Sequence, residues 1–171
     1  MTFEEMTAAR FSVKKFSDKA VEADKLQKVL DVAGKAPTAR NAQCIRIYVL
    51  KSEEAMNKAK ELTPCVYGAP VCLMLSYDIK EAYPYPEEDG INSGAEDCAI
   101  VATHIMYEAL EQGLSTCWVN RVSVSKAKEV FNLPEDEHVV LFMPIGYAAE
   151  GFGPLPNHTQ KKPLSEIVRE L

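Results

Sequence analysis

Ser93-Gly94-Ala95-Glu96-Asp97-Cys98-Ala99-Ile100-Val101-Ala102-Thr103-His104-Ile105-Met106-Tyr107-Glu108-Ala109-Leu110-Glu111-Gln112-Gly113 is the stretch on which the fold turns. Ser93 and Glu96 stand at capping-box spacing and Gly113 supplies a stop, so the spacing predicts a helix over about Gly94 to Gln112. Cys98, Ile100, Val101, Ala102, Ile105, Met106, Ala109 and Leu110 make its apolar stripe wide. A helix so apolar belongs in the middle of a domain, with other elements packed around it.

Working outward, Thr2 and Glu5 form another capping box, which starts a helix over Phe3 to about Ala9. A second helix runs from about Ala23 to Ala33, with Gly34 as its stop. The β-branched run Ile45 to Leu50 reads as a strand, Glu53 to Leu62 as a surface helix, and Val71 to Tyr77 as a buried strand. Residues 78–92 hold Pro84, Pro86 and five acids and read as an exposed loop. Beyond the long helix come a strand over Leu114 to Val119, a short helix over Ser125 to Phe131 and a core strand over Val139 to Tyr147. Residues 148–160, with Gly151, Gly153, Pro154 and Pro156, form an extended arm, and Pro163 opens a last helix. Strands and helices mixed in this way indicate an α+β or three-layer α/β domain. No G-x-G-x-x-G follows a strand and no G-x-x-x-x-G-K-[ST] occurs, which argues against dinucleotide and P-loop folds.

Composition narrows the function. The 171 residues are 47% apolar and 26% charged, and they fit a single domain over 1–171. No apolar run reaches the roughly 18–20 residues of a membrane span, and the acidic N-terminus lacks a signal-peptide core, so the expected compartment is the cytoplasm. The five cysteines form no C-x-x-C pair, which argues against disulfide, zinc or iron–sulfur frameworks and for buried small hydrophobes. A net charge of −6 disfavours nucleic acid as a partner. The charge is uneven, however. Residues 1–65 hold 12 Lys+Arg against 9 Asp+Glu, and residues 78–112 hold 1 against 9. A basic N-terminal third in an acidic chain suggests a local anion site.

Three segments carry candidate chemistry. In an extended Arg10-Phe11-Ser12-Val13-Lys14, Arg10, Ser12 and Lys14 project to one side. A guanidinium fork, a hydroxyl and an ammonium suit a phosphate dianion. In Ala36-Pro37-Thr38-Ala39-Arg40-Asn41-Ala42-Gln43, the amides of Asn41 and Gln43 suit a planar ring edge of alternating C=O and N–H groups. Lys161 and Lys162 precede a helix start and can join an anion site. Taken singly, each basic segment reads better as solvated surface charge than as a site, and the middle one also reads as a polar turn with an Asn cap.

Together, and in this order, they resemble the FMN-dependent nitroreductase family. Its R-x-S-x-[RK] clamp is matched by Arg10, Ser12 and Lys14. Its A-P-[ST]-x-x-N-x-Q is matched by Ala36, Pro37, Thr38, Asn41 and Gln43, and its A-P pair before a core strand by Ala69 and Pro70. G-L-x-x-x-W is matched by Gly113, Leu114 and Trp118, and I-G-Y by Ile145, Gly146 and Tyr147. A basic pair before P-L-x-E-[IV] is matched by Lys161, Lys162, Pro163, Leu164, Glu166 and Ile167. The chain departs in having Gln43-Cys44-Ile45 where the family commonly continues Q-P-W, and it is short for the family.

The resemblance implies a nitroreductase-like fold, a mixed central sheet flanked by helices, with the long helix at a homodimer interface that holds two FMN sites. Arg10, Phe11, Ser12 and Lys14, with Lys161 or Lys162, are then the phosphate grip. Asn41 and Gln43 meet the ring, and Pro37, Thr38 and Ala39 reach it from the other subunit. Trp118, Asn120 and Arg121 run beside the ring, where the Asn120 N–H would help stabilise reduced flavin. NADH or NADPH is the implied donor and a small organic acceptor, such as a nitroaromatic or quinone, takes the electrons by ping-pong kinetics. No protein nucleophile and no metal are called for, and His104, His138 and His158 are read as structural. The alternatives are a flavin-storage protein, a same-fold enzyme for dehalogenation or desaturation, and a binding protein without flavin.

Overall fold

The computed structural model describes residues 1–171. Helix α1 (Phe3–Ala9) starts as its sequence dictates: Glu5 N–H donates to Thr2 Oγ1 at 3.2 Å and Thr2 N–H to Glu5 Oε2 at 2.7 Å. Such a cap is worth about 1 kcal/mol. Helix α2 (Ala23–Asp31) tightens into a 3₁₀ turn over Val32–Lys35. Gly34 lies inside that turn and is not the expected stop. Ala36 precedes Pro37 and is extended (φ −70°, ψ 138°), as a pre-proline residue prefers, so the helix ends ahead of it.

Strand β1 (Ile45–Leu50), helix α3 (Glu53–Leu62) and strand β2 (Val71–Asp78) follow. The long helix α4 spans Gly94–Glu111, and Gly113 ends it at φ +73°, a conformation that glycine adopts freely. Its capping box is not formed. Ser93 is αR, makes no cap, and gives its hydroxyl to Asp97 instead. Strand β3 is only Ser115–Thr116, helix α5 is Val124–Val130, strand β4 is Glu137–Gly146 and helix α6 is Leu164–Ile167.

β3 is shorter than the six residues expected, for a local reason. Its ladder on β4 resumes at Val119, which exchanges both bonds with Phe142. Between them, Cys117 N–H reaches the carbonyl of Pro144 at 3.3 Å, but Pro144 has no N–H to return.

The sheet order is β1-β2-β4-β3, and all three pairings are antiparallel. The expected mixed sheet is therefore corrected to an antiparallel one within the chain. A helix between two strands suggests a parallel crossover, but α3 leads out and residues 63–70 lead back. Leu50, at the end of β1, consequently pairs with Cys72 near the start of β2.

Three layers result, because strand side chains alternate. Val71, Leu73 and Leu75 pack with α2 (Leu26, Val29) and α4 (Val101, Ala102, Ile105, Ala109) on one face. Cys72 and Met74 pack with α3 (Met56, Ala59, Leu62) and Ala127 of α5 on the other. A bulge opposite Leu75/Ser76 lets β4 place Leu141 on the first face and Val139 on the second. The arm after β4 carries a 3₁₀ turn at Pro156–Thr159, and Pro163 caps α6 from outside its first turn. No helix is long and apolar enough to cross a membrane.

Candidate functional site

Residues 10–17 leave α1 as an extended strip stitched to three parts of the chain. Val13 N–H donates to Thr116 (3.0 Å), Phe16 N–H to Tyr67 (3.1 Å) and Ser17 N–H to Tyr147 (2.9 Å). Val13 and Phe16 are buried with Ala69 in a small core of their own. Ser12 and Lys14 share one cavity with Phe11, whereas Arg10 lines a small separate pocket with Ala9, Met106 and Leu110. Burial, and behind it Cys65, push the Cys117 thiol up, and Lys14, Ser12 and Arg10 pull against that.

Ser12 and Lys14 open onto a cavity of about 490 Å³, within the usual size range for small-molecule sites. Of the predicted residues, Phe11, Ser12, Lys14, Trp118, Asn120 and Arg121 line it. Trp118 and Asn120 are tied by an indole N–H to Oδ1 bond of 2.8 Å. Arg121 is held through its carbonyl, which accepts from the buried Thr63 hydroxyl at 2.6 Å. None of the thirteen lining residues is acidic, while Lys14 and Arg121 are cationic. In a chain of net charge −6, that makes the cavity a place for an anion.

The cavity also gathers residues that sequence reasoning missed: Cys65, Tyr67, Cys117, Leu155, Asn157 and His158. Two of them had a signal. Cys117 adjoins Trp118, and Tyr67 stands just before Gly68 and the Ala69-Pro70 pair. Tyr67 is left-handed (φ 57°), and its phenol is pushed up by burial and by Cys65, against Arg121. His158 carried no signal. The arm brings it there, with its ring 6.3 Å from Phe11, itself stacked on Phe152 at 6.5 Å. His104 and His138 stay structural, one hydrogen bonded to the Ile100 carbonyl and one stacked on Tyr77.

Pro37, Thr38, Ala39, Asn41 and Gln43 line no part of that cavity within the chain. Thr38 and Gln43 border a separate cleft of about 170 Å³ with Ile45, Ile47 and Val101. Lys161 and Lys162 are exposed, and Lys162 lies 3.7 Å from Glu166. All five cysteines are free and buried. Burial, then the nearby Asp97 carboxylate, raises the Cys44 thiol to about 11.

The structure thus sets a cavity lined by Lys14 and Arg121, without an acidic residue, in a three-layer α+β chain. The chain belongs to the nitroreductase family, whose model matches residues 7–64 and 59–147. It is similar to a nitroreductase family protein from Clostridium difficile 630, with 34% identity, a TM-score of 0.91 and coverage of 99% of this chain and 98% of that one. A protein from Methanothermobacter thermautotrophicus, provisionally named NADH dehydrogenase/NAD(P)H nitroreductase, is 28% identical over 87% of this chain and 78% of its own length. A provisionally named nitroreductase from Exiguobacterium sibiricum, crystallised with FMN, shares the fold (TM-score 0.84, 17% identity, coverage of 100% and 98%).

Proposed function

We propose that this chain is an FMN-dependent oxidoreductase that takes electrons from NADH or NADPH and delivers them to a small organic acceptor. The carrying observation is the cavity itself, lined by Ser12, Lys14 and Trp118 to Arg121 and by no acidic residue. The relatives' NAD(P)H-linked names and the FMN in the Exiguobacterium structure agree with it.

The residues present fit such a cofactor. Ser12 and Lys14 offer a hydroxyl and a charged donor to a phosphate in the cavity that Phe11 also lines, and Arg10, two residues before Ser12, would have to turn from its own small pocket to join them. Trp118, Asn120 and Arg121 offer an aromatic face, a backbone N–H and a charge to a planar ring. When bound, FMN supplies the redox chemistry, accepting hydride in one half-reaction and giving electrons up in the next. The protein's part is to bind, orient and screen from water.

The segment Pro37, Thr38, Ala39, Asn41 and Gln43 would complete the site from a second copy, since it lies outside the cavity of its own chain. Lys161 and Lys162, exposed beyond the arm, have the same need of a partner. The reading is thus of a homodimer whose single domain, 1–171, binds FMN at the interface. Five free cysteines suit the cytoplasm. The test is an absorbance spectrum of the purified protein with anaerobic NADH and NADPH titrations. A flavin spectrum that bleaches with reductant and returns with a quinone or nitroaromatic supports the reading. A colourless protein that takes up no added FMN rejects it.

A further inference from the structure

The loop ahead of β1 holds three non-glycine residues in the left-handed region: Arg40 (φ 52°), Asn41 (φ 56°) and Gln43 (φ 50°). Side chains with a Cβ rarely adopt it, so such a conformation persists only where its surroundings over-determine it. Part of the restraint is internal. Asn41 N–H donates to the Thr38 carbonyl at 2.9 Å and Gln43 N–H to Thr38 Oγ1 at 3.1 Å.

The rest comes from Asp97, in the first turn of α4 and 1% exposed. Its Oδ1 accepts from Ala39 N–H at 2.8 Å. Its Oδ2 accepts from the Ser93 hydroxyl at 2.7 Å and the Cys44 thiol at 3.7 Å. The carboxylate therefore ties both ends of the left-handed stretch, Ala39 and Cys44, to one rigid helix. All three donors are uncharged, and a buried charge held this way is costly to keep unless its hydrogen bonds are complete. The acidic loop closes the circuit. Tyr83 N–H donates to Ser93 Oγ at 3.2 Å, and the Arg40 guanidinium lies 5.2 Å from the Tyr83 ring centroid.

We propose that Asp97 is a positioning residue: it fixes the 38–44 loop in the left-handed form that presents Thr38, Ala39, Asn41 and Gln43 to the flavin ring of a second copy. The inference rests on the flavin reading above and assigns to the buried carboxylate a task at the ring end of the ligand, away from the phosphate end.

The experiment titrates flavin-free protein with FMN and with riboflavin, which has the ring but no phosphate. Asp97→Ala raises the Kd for both by the same factor, about tenfold or more, as expected for an unsatisfied buried group. Arg10→Ala raises only that for FMN. Asp97→Asn keeps a carbonyl oxygen for Ala39 N–H and restores both. Amide hydrogen exchange of the flavin-free protein supplies a flavin-independent reading: the Ala39 amide exchanges about tenfold faster in Asp97→Ala than in the wild type. If Asp97→Ala does not fold, Ser93→Ala, which removes the hydroxyl that orients the carboxylate, carries the same comparison, with an equal loss for both flavins. Unchanged exchange overturns the proposal. So does a loss confined to FMN, or an Asn variant as weak as the Ala one. A wild type that binds neither flavin rejects the flavin reading, and exchange then still decides whether Asp97 holds the loop.

Discussion

Gly94, the first residue of α4, lies directly against the ring of Tyr77 on β2: a Cβ built on Gly94 would stand 2.1 Å from Tyr77 Cδ2 and 2.5 Å from Cγ. The same ring is stacked on His138, its partner on β4, at a centroid distance of 5.4 Å, so a shift of Tyr77 would disturb that pair as well. Gly94→Ala should therefore cost about 1–3 kcal/mol by overpacking. Thermal unfolding would show a midpoint several degrees lower, at roughly 2–4 °C per kcal/mol for a chain of this size. An unchanged midpoint would mean that the sheet face yields at no cost.

Arg10→Ala should weaken FMN binding by about 1.5–3 kcal/mol, the range for a hydrogen bond to a charged group. That is roughly ten- to 150-fold in Kd. Because the guanidinium acts on the phosphate, the loss should shrink as salt screens the pair. Flavin fluorescence titrations at low and high salt measure both. Equal affinity in the variant would take Arg10 out of the grip.

Local signals carried most of the fold. Thr2 and Glu5 need nothing beyond their own helix turn, and the box they announce is formed. The run Ile45–Leu50 is a strand to the residue. Where the reading failed, tertiary contacts decided. Ser93 has a cap's spacing, but the buried Asp97 claims its hydroxyl, in a network that also includes Ala39 and Cys44. The strand expected from Leu114 to Val119 is interrupted by a proline on another strand. Of the Arg10, Ser12 and Lys14 strip, Ser12 and Lys14 line one cavity with Trp118, Asn120 and Arg121, while Arg10 lines a separate pocket. His158 was illegible because only the folded arm brings it to Phe11.

A pH dependence follows from Tyr147. Its hydroxyl donates to Glu22 Oε2 at 2.6 Å and accepts from Lys25 Nζ at 2.8 Å. The Tyr147 bond first, then the Glu22 backbone N–H, with Lys19 and Lys25 beyond, holds the Glu22 carboxyl down at about 2, against an ordinary 4.5. A lowered value means the folded chain binds this proton less readily than the unfolded one. The stabilisation is then present above about 4.5 and is lost as pH falls toward about 2. Tyr147→Phe should unfold at a lower temperature than the wild type at neutral pH, and the gap should narrow in strong acid to what the Lys25 bond alone supplies. The carboxyl is open to solvent, so the gap should be small and sensitive to salt. A gap that stays constant down to strong acid would place the effect of the hydroxyl elsewhere.

The dimer can be tested at α1. Met1, Phe3 and Met6 line an open cleft of about 540 Å³ together with Val32 and Tyr107. Phe3 is 69% exposed, although its ring centroid lies only 5.7 Å from that of Tyr107 on α4. On the proposed dimer, this cleft, whose rim also carries Glu108 and Glu111, would be covered by the second copy. Phe3→Glu places a charge there that suits the first turn of α1, but it gives up the Phe3–Tyr107 contact and faces Glu108 and Glu111, so thermal unfolding is read alongside. Sedimentation velocity should show the variant shifted toward monomer at concentrations where the wild type is a dimer. Flavin should be lost in parallel, because Pro37, Thr38, Ala39, Asn41 and Gln43 would then have no second cavity to complete. A dimeric variant would move the interface away from α1, and a monomer that still holds FMN would show that one chain suffices for the site.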